Sequence, residues 1–154
     1  MSDGCPGSRT MDFSEKDEQV EETGERQSQL KQWPIQMHLV SPQAPYFQEK
    51  DILLAADCVP FALADFHKDY LKGKSLAIAC PKLDQHQEIY VEKIKDLIDE
   101  AKINTLTVMI MQVPCCMGLT QIAKAGAEQA TRKIPIKQVV VSIEGGQILS
   151  EDWI

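Results

Sequence analysis

Four of the five cysteines in this 154-residue chain stand where a short apolar run gives way to a helix signal. Cys58 follows Asp51–Ala56 by two residues, and Cys80 directly follows Ser75–Ala79. The adjacent Cys115 and Cys116 follow Thr105–Met111, beyond Val113-Pro114. A thiolate is both a soft metal donor and a nucleophile, so grouped cysteines in a reducing compartment point to metal ligation or redox chemistry. A lone cysteine is most often a small buried hydrophobe. Packing alone, however, does not require one at three successive junctions. Proline adjoins cysteine at Cys80-Pro81 and Pro114-Cys115, stiffening the turn and removing a competing N–H. A helix N-terminus beyond each thiol favours its ionised form.

For these thiols to meet, the apolar runs must be parallel strands. Ile35–Val40 reads as a first strand and Asp51–Ala56 as a second, apolar throughout and therefore covered on both faces. Pro60 to Leu71 suits a helix stopped by Gly73. Ser75–Ala79 is the third strand. Asp84 with Gln87 forms a capping box for a helix whose apolar face carries Val91, Ile94, Leu97, Ile98 and Ala101. Thr105–Met111 is the fourth strand. Leu119, Ile122, Ala123, Ala127 and Ala130 mark another helix, with Gly126 a weak point in it. Lys137–Ile143 is the fifth strand. Glu144–Gln147 reads as a hairpin turn into a short strand at Ile148–Leu149.

The expectation is an α/β fold: a mostly parallel five-stranded sheet with helices on both faces, a C-terminal hairpin and a disordered acidic N-terminus. The division is residues 1–31 as tail and 32–154 as the cysteine-bearing domain. The link from Ile35–Val40 to the next strand is only Ser41 to Lys50. A parallel crossover usually needs a dozen or more residues, so the direction of that first strand stays open. In a parallel sheet the carboxyl ends share one edge, where open α/β sheets bind ligands.

Composition narrows the function. Hydrophobic residues make up 44% and charged residues 25%, as in globular proteins. The net charge is −7, and residues 1–30 hold eight Asp/Glu against three Lys/Arg. No basic field exists for nucleic acid or anionic lipid, so neither is an expected partner. No apolar run is long enough to span a membrane and the N-terminal stretch lacks a signal-peptide pattern, which implies a cytoplasmic protein with reduced thiols. GxGxxG, Walker A and GxSxG motifs are absent. Asp57, beside Cys58, suits orienting a ligand or taking a proton but reads first as a helix N-cap, His67 as a surface or packing residue, His86 as solvent-exposed, and Met109, Met111 and Met117 as core filling. His38 reaches the thiol edge only if the first strand runs parallel.

Four thiolates at Cys58, Cys80, Cys115 and Cys116 satisfy a 4Fe–4S or 2Fe–2S cluster, or a tetrahedral zinc ion. The long spacing without CxxC argues against a zinc ribbon or knuckle. Adjacent cysteines also serve one mononuclear ion poorly and a larger cluster better.

Four segments together, Leu53–Ala62 (LLAADCVPFA), Asp65–Gly73 (DFHKDYLKG), Ala79–Asp84 (ACPKLD) and Val113–Gly118 (VPCCMG), resemble prokaryotic ferredoxin-like, 4Fe–4S-binding iron–sulfur proteins. Trp33–Pro45 is similar to the segment opening the C-terminal domain of that family, and the resemblance covers about residues 33–145. Pro114-Cys115-Cys116 also resembles the CCG motif of heterodisulfide-reductase-type subunits, with Met117 intervening before Gly118. Family members carry an N-terminal ferredoxin module with CxxCxxCxxxCP motifs. Here only Gly4-Cys5-Pro6-Gly7-Ser8 appears, similar to the linker between the two modules. The chain is thus expected to be a fragment, or a member without that module.

The expectation is an electron-transfer or redox accessory protein whose Cys58, Cys80, Cys115 and Cys116 hold an iron–sulfur cluster, with a ferredoxin or oxidoreductase subunit as redox partner. Two rivals remain open: a metal-free thiol/disulfide enzyme, and a partner-binding domain whose cysteines are packing residues.

Overall fold

Uninterrupted apolar runs cannot face water on either side, and here they form the middle of a sheet. The computed structural model describes residues 24–144 and 146–154. Its strands are β1 (Asp51–Ala56), β2 (Ser75–Ala79), β3 (Thr105–Met111), β4 (Ile136–Val141) and β5 (Ile148–Trp153). The sheet order is β2-β1-β3-β4-β5. The first four strands run parallel, and β5 returns antiparallel to β4. The fold is therefore the expected mostly parallel five-stranded α/β sheet with a C-terminal hairpin.

β1 leads into α1 (Val59–Ala62) and a π-helical turn (His67–Leu71) before β2. β2 leads through α2 (Gln87–Asp99) to β3, and β3 through α3 (Met117–Gln129) to β4. The last two crossovers step the same way along the sheet and the first steps the other way. Right-handed connection thus places α2 and α3 together on one face, where they pack against each other. The core is continuous from Ile52, Leu53 and Leu54 through Leu106, Val108 and Met109 to the inner faces of the helices. Among the described residues no helix is long and apolar enough to cross a membrane.

Three elements depart from expectation. Ile35–Val40 is not a strand. Its residues run parallel beside β2, but pairing is limited to a bridge between Gln36 and Ile78. The chain then curls, with the Leu39 and Val40 amides donating to the Gln36 carbonyl. Lys93 of α2 explains the curl: its ammonium donates to the carbonyls of Met37, His38 and Val40 at 2.9, 3.0 and 2.9 Å. A strand would point those oxygens apart.

The helix expected from Pro60 to Leu71 is also broken, by extended backbone at Leu63. Phe66 and Leu71 are both buried, five residues apart, and the wider winding of a π-turn brings such positions towards one face. Finally, the last strand extends to Trp153 rather than ending at Leu149. Lys137 of β4 supports it, pairing with Glu151 at 3.2 Å and lying over the Trp153 ring. The turn before it carries Gly146 at φ +60°, backed against the Ala62 carbonyl of α1.

Gly126 lies where α3 meets α2. A Cβ there would sit 2.5 Å from Ile94 Cγ2 and 3.0 Å from the Val91 carbonyl oxygen. Gly126→Ala should therefore cost roughly 1–3 kcal/mol through overpacking. That outweighs the gain of about 1 kcal/mol that alanine brings to an open helix. A urea midpoint at or above that of the parent would refute this account of the helix contact. Lys93→Met should cost roughly 1–3 kcal/mol, because three carbonyls lose a charged donor. Thermal unfolding of the variant would test it, and an unchanged melting temperature would show that the carbonyls do not need the ammonium.

Candidate thiol site

Each cysteine is placed by the strand before it and the turn that strand enters. Cys58 stands at the N-cap of α1, exposed, with Pro60 in the first turn. Cys80 is half-buried in the turn after β2, where its carbonyl accepts the amides of Leu83 and Asp84 and its own N–H donates to Asp84 Oδ2 at 3.0 Å. Cys115 and Cys116 lie in a 3-10 turn, Pro114–Cys116, that runs directly into α3. The Cys116 amide donates to the Val113 carbonyl at 3.0 Å, and the residue is buried.

β1 lies between β2 and β3, so its turn is flanked by the other two. The turn after β2 approaches the start of α3, since a Cβ on Gly118 would stand 3.0 Å from Pro81 Cβ. Burial is the main cause that pushes the Cys116 thiol up to about 11. A hydrogen bond with the Met111 backbone opposes that shift, while the neighbouring Cys115 and Cys58 thiols add to it. Cys116 is therefore within electrostatic reach of both Cys115 and Cys58. Cys80 stands in the adjoining turn. Among the described residues, no three His, Cys, Asp or Glu side chains form a ready-made metal-ion site. Cys5 lies outside the described residues.

A polar cluster under Cys80 escaped sequence reading. Asp84 was expected as a helix cap, but His86 occupies that position, in left-handed backbone and without a side-chain cap. Asp84 Oδ2 instead accepts from the Cys80 amide, the Tyr90 hydroxyl at 2.6 Å and the Gln36 amide at 3.2 Å. Gln87 donates to the carbonyls of Pro81 and Asp84. His38 rests on the Tyr90 ring, with centroids 4.4 Å apart, and its Nε2 meets the Gln85 carbonyl. The parallel run of Gln36 beside β2 thus brings His38 to the thiol edge. Burial and the adjoining carboxylate of Asp84 both raise the pKa of Tyr90 and keep its hydroxyl protonated.

Asp57 is not a cap either. Its Oδ1 is buried without a hydrogen-bond partner, and burial followed by the Asp84 charge raises its pKa. Spacing gave one unused signal: Tyr90, at a core position of α2, needs a buried acceptor for its hydroxyl.

Large apolar side chains ring the edge. Phe61 is 92% exposed, Leu83 77% and Met117 41%, each within three residues of a cysteine. Met117 is therefore not core filling, unlike the buried Met109 and Met111. His67 and His86 are exposed, as expected, the first accepting the Gln29 amide and the second near Glu88.

Comparison with known proteins places this geometry in a broad group. A Rossmann-like domain is matched over residues 44–153, a span that takes in the whole sheet and the cysteines that follow β1, β2 and β3. An uncharacterized protein of Archaeoglobus fulgidus is 30% identical over 117 residues, covering 76% of this chain and 81% of that protein. No solved structure matches. Open α/β sheets bind ligands where the strand order reverses, here between β1 and β3, with Cys58 on one side and Cys115-Cys116 on the other. By the match over most of its length, the chain belongs to the Rossmann-like domain family.

Proposed function

We propose that this chain is an iron–sulfur-binding redox accessory protein. In this reading Cys58, Cys80, Cys115 and Cys116 hold a 4Fe–4S cluster, and a ferredoxin or oxidoreductase subunit in the cytoplasm exchanges electrons with it. The observation that carries the reading is that Cys116 lies within electrostatic reach of Cys58 and Cys115 at the strand-order reversal, with Pro81 of the Cys80 turn close to Gly118 at the start of α3. The donor set is chemically apt, since iron–sulfur clusters are held by cysteine thiolates. Buried Asp57 Oδ1 beside the thiols, without a partner, fits an edge completed by something bound.

The turn after β1 favours this over nucleotide binding at the same edge. It reads Asp57-Cys58-Val59-Pro60-Phe61, with proline and no glycine, so it lacks the phosphate-cradling loop of dinucleotide-binding relatives. Zinc fits the thiolates, but the adjacent pair suits one ion poorly.

The cluster, when bound, supplies one-electron storage. The chain's residues supply the rest. Buried Cys116 anchors the inner side and exposed Cys58 the outer. Asp84 fixes the turn that carries Cys80. Phe61, Leu83 and Met117 offer a partner an apolar contact around the thiols.

The adjacent Cys115 and Cys116 favour a second reading, thiol/disulfide exchange. Cys116 is a poor attacking group for that chemistry at neutral pH, because burial holds it as the thiol.

Anaerobic reconstitution with iron and sulfide should give a brown protein whose visible absorption bleaches on reduction, and whose four thiols resist alkylation. A colourless, iron-free product would remove the cluster from consideration, and Cys116→Ala should lose both properties. Cys116 also makes a prediction without metal. Its thiol ionises at about 11 in the folded chain against an ordinary 9.0. The folded state therefore holds more protons between those values, and its stability falls as pH rises through that window. Urea midpoints of the reduced protein should show this fall, lessened in Cys116→Ala. Equal slopes in the two proteins would mean that Cys116 ionises as easily folded as unfolded.

A further inference from the structure

At the opposite edge of the sheet, where β1 and β2 begin, a cavity of about 520 Å³ is rimmed by Lys31, Lys50 and Lys74 and walled by Pro45, Tyr46 and Gly73. We propose that this cavity binds a phosphorylated aromatic anion of the nucleotide type, with its phosphates among the three lysines and its ring against Tyr46 and Pro45.

Charge is the first argument. The chain carries −7 overall, yet three lysines and no acidic residue line this cavity. The side-chain ion pairs among the described residues involve Arg26, His86, Lys95 and Lys137, not these lysines. The carboxylates flanking Lys50 in sequence are Glu49 and Asp51. Neither lines the cavity, and Asp51 Oδ1 is occupied by the Thr105 hydroxyl at 2.8 Å. Cations held around one space repel, and an anion between them turns that repulsion into attraction. Three ammonium groups also supply several charge-assisted donors to phosphate oxygens.

Shape is the second argument. The volume lies within the range of roughly 300–1,000 Å³ usual for small-molecule sites. The Tyr46 ring is braced edge-on by buried Phe47, with centroids 4.7 Å apart. The Ser75 hydroxyl bonds to the Tyr46 carbonyl. Gly73, at φ +79°, has no side chain to fill the space.

The rim is tethered at each lysine. The Lys74 ammonium donates to the Tyr70 carbonyl at 3.0 Å. The Lys50 carbonyl accepts the Asn104 amide at 2.9 Å. Lys31 precedes Gln32, whose side chain pairs with both backbone groups of Leu76. Flat apolar wall and cationic rim together match a ring that bears phosphates better than phosphate alone. This site is independent of the thiol reading and lies across the sheet from it.

Calorimetric titration of the reduced, full-length protein with ATP, and separately with inorganic tripolyphosphate, tests the proposal. ATP should bind, and tripolyphosphate should bind more weakly. Lys31→Gln, Lys50→Gln and Lys74→Gln should each weaken ATP binding by about tenfold, the loss expected for one charge-assisted contact. Lys124→Gln, an exposed residue of α3 outside the cavity, should leave it unchanged. Binding should survive alkylation of the thiols, and matched melting temperatures would confirm that the variants fold. The proposal is overturned if ATP does not bind at millimolar concentration or if tripolyphosphate binds as tightly. It is equally overturned if Lys124→Gln matches the cavity variants, or if thiol alkylation abolishes binding.

Discussion

The constraint on which the structure depends is the level parallel pairing of β1 with both of its neighbours. Ala56, the last residue of β1, pairs with Ala79, the last of β2, while Ala55 pairs with Met109 of β3. Because the strands leave the sheet together, their turns must share one small area of surface. β1 can sit in the middle only because Ile52, Leu53, Leu54 and Ala55 leave no face polar. Slipping β1 by one residue would swap the faces to which those side chains are fitted and carry Cys58 away from Cys116. Burial of four apolar residues thus decides where a thiol comes to rest.

Asp84 is the second organising element. One carboxylate oxygen gathers the Cys80 amide, the Tyr90 hydroxyl and the Gln36 amide, tying the β2 turn to α2 and to the chain entering the domain. Lys93 does similar work one turn further along α2, holding three carbonyls of residues 37–40. The α2 face towards this entering segment is polar and hydrogen-bonded, whereas its face towards α3 is close-packed around Gly126. The two edges of the sheet differ as sharply. Sulfur, buried carboxylate and exposed apolar groups occupy the carboxyl edge, and lysines around an aromatic wall occupy the other.

Chemistry and packing meet at Cys116. Burying it secures the start of α3, and the same burial keeps its proton on. A ligand that replaces the proton must meet that cost from bonds to sulfur, which favours strongly thiophilic species. Exposed Cys58 carries no comparable burial. The edge therefore joins a buried thiol to an accessible one.

Much of this was legible in residue order. Unbroken apolar runs marked β1, β2 and β3, periodic ones marked α2 and α3, and cysteine after each run marked the edge, because burial and backbone geometry act over a few neighbouring residues. The fate of Ile35–Val40, Asp57 and Asp84 was not legible. A short apolar segment reads as a strand until a lysine some fifty residues away draws its carbonyls together. An aspartate before a helix reads as a cap until a buried tyrosine and a distant glutamine claim its oxygen. The sequence by itself determined the parallel strands of the sheet, α2 and α3, and which residue types stand at their ends. Tertiary structure alone decided which of those ends touch and which polar groups are shut away from water, since hydrogen bonding and desolvation depend on partners that lie far apart along the chain.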